Sequence, residues 1–141
     1  MEKEFVPYEL AVKLKELGFD ELCFVYYKRS NENKPAYPNH GVIQNSVCGN
    51  GITAPTFSQA FRWFREKYDL HYEIHHVKSI VKRLKYKPKK VTELVEYTYE
   101  VDGALIDVVD TYEEAELACL TKLIEIVEFK SEQWKTRARD N

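Results

Sequence analysis

No stretch of the chain holds the roughly 18 to 20 consecutive apolar residues that a membrane-spanning helix needs. The N-terminus, Met-Glu-Lys-Glu-Phe, lacks the charged and apolar regions of a secretory leader. Cysteine is sparse: Cys23, Cys48 and Cys119 lie far apart and show no CxxC spacing. An odd, scattered set argues against a disulfide framework and for a reducing compartment. No internal repeat and no low-complexity tract is present. No glycine-framed elbow surrounds a nucleophile: Ser46, Cys48 and His40 share one loop, but nothing orients them as nucleophile and base. These absences lead us to expect a cytoplasmic protein without membrane contact, not an enzyme, and with no cofactor.

What is present suits a packed core. The 141 residues are 44% hydrophobic and 13% aromatic. A chain of this length buries roughly 68% of its unfolded surface and needs no staple. We therefore expect one domain over 1–141. Its parts are an N-terminal helix and strand (5–28), a long polar loop (29–52) and a core segment (53–129). Ten tyrosines serve half-buried sheets and binding surfaces alike, because each joins apolar area to a hydroxyl that wants a partner.

The net charge of −2 hides an asymmetry. From Lys78 to Thr92 there are seven basic residues and no acid. From Glu93 to Thr121 there are nine acids and no Lys or Arg. A uniform binder of nucleic acid would not divide its charge this way.

Periodicity places the elements. Pro7 to Leu17 reads as a helix, opened by Pro7, closed by Gly18 and striped by Leu10, Leu14 and Leu17. Leu22 to Lys28 reads as a strand. The segment 29–52 is too long for an idle connection. It is either a functional loop or holds a short strand near Val42 to Val47. Thr53 to Tyr68 reads as a helix with an aromatic stripe of Phe57, Phe61, Phe64 and Tyr68, beside which Trp63 covers the core edge or joins an interface. His71 to Val77 is a strand. Ser79 to Lys87 is ambiguous between helix and strand.

The clearest signal is the final third. Val91 to Val101 alternates, Asp102-Gly103 is a tight-turn dipeptide, and Ala104 onward returns as a strand. Simple closure pairs Val101 with Ala104, Tyr99 with Ile106 and Tyr97 with Val108. Thr111 and Glu114 then form a capping box for a helix running to Phe129, with a tail beyond it that includes Trp134. That helix should bury most of its circumference, Leu117 included. The fold class follows as α+β, a mainly antiparallel sheet with helices packed on one face, in the order α-β-α-β-β-β-α.

Three constellations bear on function. His71, Glu73 and His75 project from one face of a strand, where two histidines can share a transition metal. The simpler reading is the polar side of an amphipathic strand, so no metal site is assigned and no metal is expected to be needed for folding. The acids Asp102, Asp107, Asp110, Glu113, Glu114 and Glu116 lack the spacing of a cation loop; those nearest the helix start complement its dipole. The basic run is the candidate anion- or partner-binding site: Lys82, Arg83, Lys85, Lys87, Lys89 and Lys90, with Tyr86 placed to stack on a base. The acidic stretch that follows it limits any nucleic-acid contact to weak binding, about 10⁻⁵ M.

Two resemblances add to this. The order α-β-β-β-α over 53–129 resembles the double-stranded-RNA-binding domain, and TYEEAELACLTKLIEIV resembles its closing helix. That resemblance implies RNA binding through a lysine cluster at the start of the closing helix, where this chain has Glu113, Glu114 and Glu116. The strings FVPYELAVKLKELGFDELCFVYY, ITAPTFSQAFRWFREKY and TYEEAELACLTKLIEIV, in that order, are similar to small accessory proteins of phages and mobile elements of gut bacteria. They span about half the chain and imply an accessory role in the bacterial cytoplasm. The expectation is a non-enzymatic module that binds a host or phage protein. The alternatives are a nucleic-acid or nucleotide binder through 78–90, and a metal-dependent enzyme using His71 and His75.

Overall fold

A computed structural model describes residues 4–76 and 97–140, with the side chains of Leu105 and of 134–140 outside that description. The elements are α1 (Tyr8–Glu16), β1 (Val25–Lys28), β2 (Asn31–Ala36), β3 (Ile52–Ala54), α2 (Phe57–Tyr68), β4 (Tyr72–His76), β5 (Tyr97–Val101), β6 (Ala104–Val109) and α3 (Tyr112–Asp140). The class is α+β, as expected. The expected single sheet is replaced by two antiparallel three-stranded sheets, ordered β2-β1-β3 and β4-β5-β6.

The reason lies in segment 29–52, expected to be a loop or one strand near Val42 to Val47. β2 forms instead over Asn31–Ala36, a polar, largely exposed edge strand with no apolar alternation to reveal it. β1 pairs with it irregularly and with β3 in regular register, Val25 opposite Ala54. Near Val42 only Ile43 pairs, in an isolated bridge to Cys23. The strand expected from Leu22 begins at Val25, and Leu22 and Phe24 are exposed.

The helices follow their sequence signals closely. Pro7 stands at the start of α1, and Gly18 takes φ +98° just beyond its end, a conformation that favours glycine. α2 starts at Phe57 rather than Thr53, because Thr53 belongs to β3 and Thr56 is the cap. Its hydroxyl accepts the Gln59 N–H at 3.1 Å. Phe61 stacks on Tyr72 with ring centroids 3.8 Å apart, fixing β4 against α2. Trp63 is a core residue, 7% exposed, and meets Phe19, Phe64 and Tyr68 edge-on.

The Asp102-Gly103 turn forms with φ of +50° and +85°, as a two-residue hairpin requires. Val101 pairs with Ala104 as expected. A bulge at Ile106, between the Glu100–Leu105 and Tyr99–Asp107 pairs, then shifts the ladder, so Tyr99 faces Asp107 and Tyr97 faces Val109. Local hydrogen bonds explain the shift. The Asp107 carboxylate accepts its neighbour's N–H, from Val108 at 2.8 Å, and the Thr98 hydroxyl donates to the Asp107 carbonyl at 2.6 Å. Such bonds compete with a regular ladder.

α3 opens with Thr111 Oγ1 accepting the Glu114 N–H at 3.2 Å, while the Glu114 carboxylate accepts the Asp110 N–H at 3.3 Å. The box thus closes one residue upstream of its usual donor. The helix passes Phe129 and runs to Asp140. It packs on β4, β5 and β6 and meets α1 and α2. Cys119, Leu120, Leu123 and Ile124 are fully buried, but Leu117, expected inside, is 40% exposed. One hydrophobic core joins residues of both sheets, from Val25 and Tyr27 to Tyr99 and Val101.

Candidate functional site

The long loop resolves into structural contacts. Asn45 is buried; its amide donates to the Phe19 carbonyl at 2.7 Å and its Oδ1 accepts the Thr53 N–H at 2.9 Å. Lys15 Nζ donates to the Gly51 carbonyl at 3.0 Å. The Ser46 N–H donates to Asp20, and its hydroxyl accepts from the Gln44 amide. The Cys48 thiol meets the Gly51 carbonyl at 2.9 Å, and burial raises its pKa. The loop is therefore a brace between the end of α1 and β3.

Burial likewise pushes the Cys23 thiol up to about 11 and the Cys119 thiol to about 12. Neither supplies a thiolate at neutral pH. Glu116 is also raised, first by burial and then by Glu113 on the same turn.

The candidate basic site, Lys82, Arg83, Lys85, Tyr86, Lys87, Lys89 and Lys90, lies outside the described residues. So do the ambiguous segment 79–87 and the strand expected over 91–96.

Two features stand out among the described residues. The first is a pair of clefts flanking the first turns of α3. The cleft between β6 and α3 has a volume of about 560 Å³. Tyr99, Ile106, Val109, Leu117 and Ala118 give it an apolar floor, and Glu114, Thr121, Lys122 and Glu125 line it further. The other cleft, about 450 Å³, adds Phe5, Pro7, Tyr27, Pro35 and Phe57. Glu114 and Leu117 belong to both, so they form the ridge between them. Ile106 is 38% exposed. Sequence reasoning missed this surface, because it placed Leu117 in the core.

The second feature is a triad on the β4–β5 ladder. The register sets Glu73 directly opposite Glu100, with His75 two residues along on the same face. His75 Nε2 lies 3.1 Å from Glu73 Oε2 and 3.0 Å from Glu100 Oε2. The imidazole is 9% exposed, whereas the Glu73 side chain is 66% exposed. His71, grouped with His75 by spacing, takes no part: its Nε2 pairs with Asp69 at 3.0 Å, and its N–H donates to Asp102. Among the described residues, Glu73, His75 and Glu100 are the group of His, Cys, Asp and Glu side chains close enough to share an ion. Of the other candidate acids, Asp102 accepts the His71 backbone N–H, Asp107 that of Val108 and Glu114 that of Asp110.

No protein-family model, no curated protein and no solved structure matches the chain.

Proposed function

We propose that the chain is a non-enzymatic protein-binding module that docks an extended partner segment carrying apolar and basic side chains along the α3 clefts. The observation that carries this reading is the β6–α3 cleft, with its apolar floor beside Glu114 and Glu125. An exposed apolar concavity favours burial against a partner. Acidic groups at its margin, Glu114 and Glu125 against the single cation Lys122, select basic side chains and speed encounter. The resemblance of three sequence segments to phage and mobile-element accessory proteins is the ground for proposing a host or phage protein as the partner, met in the bacterial cytoplasm.

Selection from a displayed random-peptide library tests the reading. Enriched peptides should combine Leu, Ile or Phe with Lys or Arg. Their binding should fall at least tenfold on Leu117→Glu or Ile106→Asp, and should weaken with salt. Both positions are partly exposed, so the variants should melt like the parent. Absence of enrichment, or binding indifferent to both substitutions, overturns the proposal. Tight, salt-sensitive binding of RNA or DNA lost on charge reversal at Arg83 and Lys85 assigns the function to the basic segment instead.

A further inference from the structure

We propose that Glu73, His75 and Glu100 form a binding site for a divalent transition-metal cation of the zinc class, filled after folding and independent of the α3 clefts. The antiparallel register places two carboxylates directly opposite each other on one face. Like charges in that position destabilise a sheet. Both carboxylates converge on one nitrogen, His75 Nε2, at 3.1 and 3.0 Å. A neutral imidazole has a single N–H to share between them. A cation at that point takes the nitrogen lone pair and one oxygen from each carboxylate, and removes the repulsion.

The dimensions suit a first-row ion. Zinc–nitrogen and zinc–oxygen bonds of about 2.0–2.1 Å put tetrahedral ligand atoms roughly 3.4 Å apart. The three ligand atoms here all lie within 4.8 Å of one another. The nitrogen–oxygen separations of 3.1 and 3.0 Å need to widen by only about 0.3–0.4 Å, which small rotations of the Glu73 and Glu100 side chains supply. One imidazole and two carboxylates suit zinc, manganese or ferrous iron better than calcium or magnesium. The site is shielded on one side, with the imidazole 9% and the Glu100 side chain 26% exposed, and open on the other through Glu73. It thus resembles a three-ligand centre with a position left for solvent. Thr98, opposite His75, does not compete for the imidazole, because its hydroxyl is committed to the Asp107 carbonyl.

The test is calorimetric titration of zinc into the full chain after chelator treatment. One ion per chain should bind, with a dissociation constant in the micromolar range. Glu73→Gln and Glu100→Gln should each weaken binding at least tenfold, and His71→Ala should leave it unchanged. Zinc at about 100 times its dissociation constant should raise the melting midpoint by on the order of 5–10 °C. Glu73→Gln gives the discriminating result, because that side chain is largely exposed. In metal-free protein it should melt no lower than the parent, since a like-charge pair is relieved, yet it should lose the zinc-induced rise. Absence of stoichiometric binding, binding indifferent to both glutamine variants, or loss on His71→Ala overturns the proposal. A metal-free Glu73→Gln protein that melts lower and gains the same rise from zinc does so too.

Discussion

At the scale of single residues, burial has shaped the ionisable groups more than pairing has. Glu116 has its pKa raised by burial, with Glu113 adding to it. The folded state therefore holds a proton on Glu116 more tightly than the unfolded chain does. Stability falls as pH rises from the ordinary carboxylate range through the raised value, and the penalty is complete above it. Glu116→Gln should raise the melting midpoint at neutral pH, with the difference vanishing under acid conditions. Parallel thermal melts across pH check the sign. Asn45 illustrates the opposite outcome, a buried polar group with its hydrogen bonds made. It joins Phe19 to Thr53, residues that no local pattern connects.

At the scale of elements, the β5–β6 hairpin and α3 behave as a unit. Tyr99 is 6% exposed and sits on the β5 face that α3 covers. Tyr99→Ala should cost about 3 kcal/mol, read as a lowered urea midpoint. An unchanged midpoint would overturn the strand's orientation. Alternation, the Asp102-Gly103 turn and the Thr111 cap were all readable in advance, because each is a local preference. The bulge was not, since it depends on Thr98 reaching across to the Asp107 carbonyl. β2 was unreadable for another reason. An exposed edge strand needs no apolar face, so its pattern matches that of a loop.

At the scale of the whole molecule, one core spans both sheets. Cys23 near the first sheet and Cys119 on α3 are buried in it, and Cys48 is only half-buried. A thiol reagent should modify Cys48 first in native protein. Cys23 and Cys119 should react together, at the same urea concentration as the loss of helical signal. Separate transitions for the two would show that the sheets unfold independently.

The sequence by itself determined the α+β class, the presence of three helices, the start of the first and the cap of the last, and the final turn. These rest on periodicity, capping and turn chemistry, which act within a few residues. It also singled out Glu73 and His75, as neighbours on one strand face. Their third partner, Glu100, was not legible. Its place opposite Glu73 depends on how β4 and β5 align, and 20 residues separate those strands. No local preference sets a register across so long a connection. The α3 clefts were hidden likewise, because helical spacing marks Leu117 as apolar but cannot say whether a neighbouring element covers it. Tertiary packing decided both: it left Leu117 at a cleft and aligned the two strands so that their carboxylates meet at one histidine.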